Sequence, residues 1–512
     1  MLAASVITFG LTVPVHAQTS LTTLFNFGTT SIGAGTNGAY PEAPVTLSGS
    51  TLYGTTSGGG PNDGAGEIYS IKTDGTGFSI LYGFTDGATL PSGPLVLSSN
   101  TVYGTAQEGG SGSDGVVYSI STSGTGFTVL HGFSGSDGAI PQTGVIKSGS
   151  TLYGATSNGG ASNVGVVFKV NTNGTGFSAM HVFSGSDGNY PSPLVISGST
   201  LYGTTSSGGA NGYGTIFSIK TDGTGFTTLY NFSGQYAGGN LTLSGSTLYG
   251  TASTVVNHNV TQSIIFSIGT NGSGFTTLHT FTGSSAESLG AMTVSGSTIY
   301  GTTLFGGTNG TLFSMNTNGT NFTTLYSFTN GNDGADPIGG LVLSNNVLYG
   351  TTGTSNGGNS FGTVFAATLN FSGQYEIQCV ASGLAANVKG GSDTDGAEII
   401  QWPFSGTGNE VWTFIPTSNG YYQINNIQSG RDIVVQGAST AGGAKIVQWS
   451  FGSSGDDQWK PTSNSDGSYT FYNLHSGLAL DDPAGSTSQG TQFDQWSADH
   501  DTNQEFDLIP QL

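Results

Sequence analysis

Thr51-Leu52-Tyr53-Gly54-Thr55-Thr56 is the stretch on which the fold of this chain turns. Its Tyr-Gly pair returns as Tyr103-Gly104, Tyr153-Gly154, Tyr202-Gly203, Tyr249-Gly250, Tyr300-Gly301 and Tyr349-Gly350, at spacings of 47 to 51 residues. A period in that range signals a repeat architecture. Each copy sits among four strand-like pieces. In the fourth repeat these are Leu194-Val195-Ile196, Thr200 to Thr205, Thr215 to Ile219 and Phe226 to Phe232. Alternating apolar and small polar residues mark such pieces as half-buried strands. Asp74-Gly75, Asn173-Gly174, Asp222-Gly223, Asn271-Gly272 and Asn318-Gly319 join the third and fourth pieces. A two-residue hairpin turn with both central residues at positive φ is expected there.

Four strands in each of seven repeats predict an all-β fold, a seven-bladed β-propeller. A solenoid of the same units is the competing arrangement. The order of the pieces favours closure. The fourth piece ends at Phe84, Phe133, Phe183, Phe232, Phe281 and Phe328, six times, and the seventh repeat stops at Ala367. The missing piece lies at the other end, as Leu21-Thr22-Thr23-Leu24-Phe25-Asn26-Phe27. A ring closed by this N-terminal strand leaves no unpaired terminal strand.

The turns between pieces one and two and between three and four are short and alike, whereas the other loops are longer and variable. In an antiparallel meander the two kinds lie on opposite faces, and the variable face is the expected recognition face. Asp86-Gly87, Asp137-Gly138, Asp187-Gly188 and Asp333-Gly334 recur on it, with Pro91, Pro141, Pro191 and Pro337 downstream. Asp-Gly there shapes a turn or offers a carboxylate to a ligand. His131, His181 and His279 hold the place of Tyr82, Tyr230 and Tyr326 and are expected to pack, not to bind metal. The succession Leu-Tyr-Gly-Thr-Thr, Gly-Gly, Gly-x-Ile/Val-Phe, Leu-Tyr-x-Phe and Asp-Gly-x-x-Pro resembles the Gloeo/Verruco (GloVer) tandem repeat over Leu21 to Leu369. The resemblance implies an exported, propeller-like scaffold with no assigned activity.

The net charge is −21, with eight basic residues in all, and only Lys72, Lys147, Lys169 and Lys220 precede residue 371. Nucleic acid and anionic membrane are therefore excluded as expected partners. Residues 1–17 form a short apolar run ending Val15-His16-Ala17, read as a signal peptide, so a secreted or cell-surface protein is expected. No later stretch is long and apolar enough to insert in a membrane as a helix. The single cysteine, Cys379, lies in an apolar alternation and is expected to be buried. No cofactor or metal ligand set is read from the sequence. The expected domains are thus the signal peptide, a propeller over 18–370 and a second module over 373–512.

In that module a 47-residue period appears three times. Ser382-Gly383, Ser429-Gly430 and Ser476-Gly477 follow it, as do Gln401-Trp402, Gln448-Trp449 and Gln495-Trp496, and Trp412, Trp459 and Phe506. All five tryptophans lie here. The pattern resembles the ricin-type β-trefoil lectin family over Gly373 to Leu512, and implies a C-terminal β-trefoil with up to one carbohydrate pocket per unit. In that family an Asp after Ser-Gly, a polar residue two before the tryptophan, the tryptophan and a following Asn hold the sugar. Carried over, these are Asp481, Asp494, Trp496, Asn503 and Gln504 in unit three, and Asn387, Trp402 and Asn409 in unit one. Ile400 departs from the pattern in unit one, and Val434 and Val447 make binding by the same mode doubtful in unit two. Trp412, Trp459 and Phe506 are expected in the core. Trp402, Trp449 and Trp496 are left open between core and pocket wall, and His475 and His500 are expected at the surface.

A secreted carbohydrate-binding protein, with the propeller as an interaction scaffold for a further protein partner, follows from these readings. Two alternatives stay open. A glycoside hydrolase or lyase would need two carboxylates about 5 to 10 Å apart on one face. Asp63, Glu67, Asp86, Glu108, Asp114, Asp137, Asp187, Glu287, Asp333 and Asp336 offer acids but no pairing. A structural or adhesive surface protein with a degenerate trefoil is the third reading.

Overall fold

The structure is a computed structural model. It describes residues 18–28, 37–60, 65–85, 88–256, 259–282, 289–304, 309–353, 361–371, 373–417, 420–452, 454–464, 466 and 468–511. The expected signal peptide, Asp63, Asp86 and Glu287 lie outside the described residues. Seven antiparallel sheets form the propeller. Blade one comprises Thr46–Ser48, Thr51–Thr56, Glu67–Lys72 and Ser79–Gly83. The next five blades repeat that order. Blade seven runs Val342–Ser344, Val347–Thr352 and Thr363–Asn370, then takes Gln18–Asn26 as its outer strand. The pairing is antiparallel, from Gln18 opposite Asn370 to Asn26 opposite Thr363. The N-terminal strand therefore closes the ring.

Aromatic stacking at the outer rim locks one blade to the next at six of the seven junctions among the described residues. Phe25 of blade seven lies on Phe78 of blade one, with ring centroids 3.8 Å apart and planes 3° from parallel. Tyr82 on Phe127, His131 on Phe177, His181 on Phe226, Tyr230 on Phe275 and His279 on Phe322 repeat the contact. The three histidines are thus packing residues, as expected. Burial lowers the pKa of each, against the opposing pull of Asp137 on His131 and of Asp187 on His181.

The Tyr-Gly glycines do not open the long loop that follows their strand. Each lies inside a strand, directly opposite an aromatic residue of the third strand: Gly54 faces Tyr69, Gly104 Tyr118, Gly154 Phe168, Gly203 Phe217, Gly250 Phe266, Gly301 Phe313 and Gly350 Phe365. The ring folds back over the glycine, covering backbone that lacks a side chain. A Cβ on Gly203 would stand 2.6 Å from Phe217 Cζ and 2.9 Å from Leu194 Cδ2. Gly203→Ala is therefore expected to destabilise the propeller by about 1–3 kcal/mol through overpacking. Denaturant unfolding checks this, and an unchanged midpoint would show that the ring contact does not select glycine.

The Asp-Gly turns differ from expectation. Gly75 takes φ 83° and Gly77 φ 68°, while Asp74 is not left-handed. Its Oδ1 instead accepts from the Thr76 amide at 2.9 Å and hydroxyl at 2.7 Å. The side chain replaces the second left-handed residue as the turn-former.

The second module is a β-trefoil of twelve strands, four per unit. The last strand, Phe506–Gln511, pairs with the first, Gln374–Cys379, and closes the barrel. Trp412, Trp459 and Phe506 are fully buried, and the two indole N–H groups donate to Ala386 O and Ile433 O. Cys379 is buried, and burial raises its pKa. Phe371, between the two expected domains, packs into the trefoil core.

Gln401, Gln448 and Gln495 are also fully buried. Each carboxamide donates to two backbone carbonyls of another unit. Gln401 reaches Ser486 and Ser488, Gln448 reaches Ser392 and Thr394, and Gln495 reaches Ser439 and Ala441. The Gln of the Gln-Trp motif is thus a rivet between units. Its two donated bonds fix the geometry around the exposed tryptophan beside it, and in Gln448 and Gln495 the Oε1 is satisfied as well, by Ser429 and Ser476.

Candidate functional site

Unit three brings four of its five expected residues to one cavity of about 720 Å³. Asp481, Asp494, Trp496 and Asn503 line it, together with Asp499, His500 and the Pro483-Ala484-Gly485 turn. Asp481 and Asp494 are cross-strand partners in the hairpin of Ala479–Asp481 and Asp494–Trp496. Asp481 Oδ1 accepts from Asn503 Nδ2 and from Gln504 Nε2, both at 2.9 Å. The Asp481 carboxylate is thereby oriented before any ligand arrives.

Gln504 does not line the cavity. It is fully buried, its Oε1 accepts from the Asp499 amide, and its Nε2 also reaches Ser497 O. Its place is under the site, holding Asp481 and the loop after Trp496. Asp494 Oδ2 pairs with Lys445 Nζ at 3.0 Å, so a residue of unit two reaches into the site. Asp482, one residue on, is fully buried, and neither of its carboxylate oxygens has a hydrogen-bond partner among the described residues.

Burial pushes Asp481 up to about 6; Gln504 opposes this and Asp494 adds to it. Burial, then the charges of Asp481 and Asp494, pushes Asp482 up to about 7.

Of the three open tryptophans, Trp449 and Trp496 form pocket walls, and Trp402 is exposed without lining a cavity among the described residues. Trp402, Trp449 and Trp496 are 42%, 46% and 51% exposed. Each lies over a glycine of a neighbouring unit: Trp402 by Gly490, Trp449 by Gly396, and Trp496 by Gly442 and Gly443. A Cβ on Gly442 would stand 3.0 Å from Trp496 Cε3. Such a ring, braced on backbone and open to solvent, suits packing against a C–H face.

In unit one, Asn387 is buried and donates to Glu410 Oε1 at 2.9 Å, while Asn409 Nδ2 reaches Val388 O at 3.3 Å. The Glu410 carboxylate thus takes the place that Gln504 holds in unit three. Unit two carries a cavity of about 440 Å³ lined by Val434, Val447, Trp449, Phe451 and Asp456. Val434 and Val447 stand where unit three has its acids, so its wall is apolar. The sequence reading missed Lys445, Asp499 and the cavity face of His500; all three lie outside the repeated positions, which is where a period gives no signal.

Three of the propeller acids, Asp137, Asp187 and Asp333, are placed as turn-formers, whereas Glu67 is buried in its strand and Glu108 accepts from Thr89. Asp137 Oδ1 accepts from the Ser134 amide and hydroxyl, and Oδ2 lies 3.0 Å from His131 Nε2. Asp187 repeats the pattern with Ser184 and His181. Asp333 accepts from Thr329, Gly331 and Tyr326.

The chain belongs to the family of the Gloeobacter/Verrucomicrobia repeat, whose model matches residues 8–154 and 90–309. Its C-terminal part matches the ricin-type beta-trefoil lectin domain-like model over residues 364–449 and 455–511. Among solved structures, the designed three-fold symmetric protein ThreeFoil is 35% identical, over 27% of this chain and 99% of that one, with a TM-score of 0.27. The Macrolepiota procera ricin B-like lectin in complex with lactose is 20% identical, over 27% of this chain and 96% of that one, with a TM-score of 0.25. The exo-beta-1,3-galactanase 1,3Gal43A of Clostridium thermocellum is 14% identical, over 96% of this chain and all of that one, with a TM-score of 0.32. Comparison with curated proteins gave no match.

Proposed function

We propose that the protein is a secreted carbohydrate-binding protein whose principal site is trefoil unit three. One observation carries this reading: a buried carboxylate, Asp481, is aimed by two carboxamide donors beside a half-exposed tryptophan. Asp481 and Asn503 supply the acceptor and donor that a pair of sugar hydroxyls needs, and Trp496 supplies the flat face. The lectin-like domain supports the same ligand class. Asp481, Asp494 and Asp499 outweigh Lys445 at the site, which favours uncharged over anionic sugars. The propeller acts as a scaffold presenting its long-loop face.

The test is a glycan array with the whole protein, followed by titration of the hits. Asp481→Ala with Asn503→Ala is expected to weaken binding at least about tenfold, the scale of one or two lost hydrogen bonds to a charged group. If the intact protein binds no glycan, or the double variant binds as well as the parent, the reading fails.

A further inference from the structure

The propeller has its own cavity, of about 610 Å³, and all seven blades contribute to its wall. Only a cavity on the propeller axis meets that condition. The lining comes from the segments at or just before each first strand, with Thr55, Ser57, Gln107 and Ser206 added from the ends of the second strands of blades one, two and four, so it opens on the long-loop face. Among the described residues its polar groups are hydroxyls and carboxamides, including Ser57, Gln107, Gln142, Ser192 and Asn240, with one carboxylate, Glu42. None of the four propeller lysines lines it. The hydroxyl of Ser92, also in the wall, is buried without a hydrogen-bond partner among the described residues.

An apolar arc stands beside this polar cup. Tyr40, Leu90, Ile140 and Tyr190 occupy one position in blades one to four, each directly before a proline, at φ 61°, 56°, 55° and 57°. A left-handed backbone is costly for a residue with a side chain, and a following proline narrows its choices further. Ile140 and Tyr190 are 37% and 42% exposed. The strained turns of blades three and four therefore hold apolar side chains out to solvent, and Tyr190 lines the hydroxyl- and amide-rich pocket itself.

We propose that this axial pocket is a second saccharide site, specific for neutral sugars. Hydroxyls and carboxamides both donate and accept, which matches a polyhydroxylated ligand. The lone carboxylate, the absence of a cation in the wall and the net charge of −21 disfavour anionic sugars. The pocket volume is in the range of small-molecule sites. The proposal is independent of the trefoil site, and with it the protein holds two sugars at once and cross-links them.

The experiment uses the full chain. The triple variant Trp402→Ala, Trp449→Ala and Trp496→Ala removes the three exposed trefoil tryptophans and leaves the propeller intact. Gly239→Trp fills the axial pocket. Gly239 is exposed and not left-handed, and a Cβ there meets only Ser192 Oγ, at 3.8 Å. Gln107→Ala with Gln142→Ala serves as a second probe should the tryptophan perturb folding. On an array of neutral and acidic oligosaccharides, the triple variant is expected to keep binding a subset of neutral glycans. Adding Gly239→Trp, or the two glutamine changes, is expected to weaken that subset at least tenfold. The proposal is overturned if the folded triple variant binds no neutral glycan, binds only acidic glycans or peptides, or is unaffected by both pocket changes. Glycans lost in the triple variant but kept by Gly239→Trp alone report on the trefoil reading separately.

Discussion

Removing residues 18–28 is expected to lower the melting temperature of the propeller by roughly 10 °C or more and to make the protein self-associate. The segment supplies the outer strand of blade seven and two aromatic anchors. Phe27 is fully buried, between the Tyr69 ring of blade one and the Gly362 carbonyl of blade seven. Its loss alone is worth about 3–5 kcal/mol. Phe25 loses its stack on Phe78. The strand Thr363–Asn370 becomes an open edge along its whole length. Thermal unfolding with size-exclusion chromatography reads both effects. A shortened chain that melted within a few degrees of the parent and eluted as the parent does would show that the six remaining blade contacts hold the ring without its N-terminal strand.

Stability is expected to rise as pH falls from about 8 to about 5, the reverse of the common acid sensitivity. Among the described residues, burial pushes nine carboxyl groups upward, five of them strongly: Glu67 to about 7, Glu376 to about 7, Asp432 to about 6, Asp481 to about 6 and Asp482 to about 7, with Glu42, Asp457, Glu505 and Asp507 moved in the same direction. Each raised group binds its proton more tightly folded than unfolded. Its contribution is fully present below about pH 4, where the unfolded carboxyl titrates, and is lost as pH rises through 6 to 7. Asp74, Asp137, Asp187, Asp222, Asp333 and Asp395 are shifted downward by hydrogen bonds or cationic neighbours and oppose only below about pH 4. His131, His181 and His279, lowered by burial, oppose below about pH 6.5 but are outnumbered by the raised carboxyl groups. The melting temperature should therefore be several degrees higher at pH 5 than at pH 8, with Asp482→Asn flattening the difference. Sugar binding at unit three should move the other way, because a protonated Asp481 is a poorer acceptor for ligand hydroxyls. Equal melting temperatures at the two pH values would mean that these groups find ionic partners or water in solution.

The ring was legible in the sequence because its evidence is periodic. The Tyr-Gly spacing, the six Phe-terminated pieces and the displaced Leu21 to Phe27 segment define blade count and closure without side-chain geometry. The purpose of the glycine was not legible, since Gly203 and Phe217 are brought together by register, which a spacing does not reveal. Trp412 and Trp402 look alike in the 47-residue period, yet one is buried and the other half-exposed. Strand facing separates them, and the buried Gln401 between neighbouring units is what sets that facing. Lys445 was invisible for a different reason: it belongs to unit two by sequence and to unit three by contact.

That last point has a consequence for taking the trefoil apart. Trp496 leans on Gly442 and Gly443, Asp494 is neutralised by Lys445, and Gln495 is anchored on Ser439 and Ala441, all from the preceding 47 residues. The lining of the unit-three pocket thus comes almost wholly from one copy of the motif, while the groups that brace it come from the copy before. A single excised copy keeps its lining residues and loses the neighbours that hold them in place.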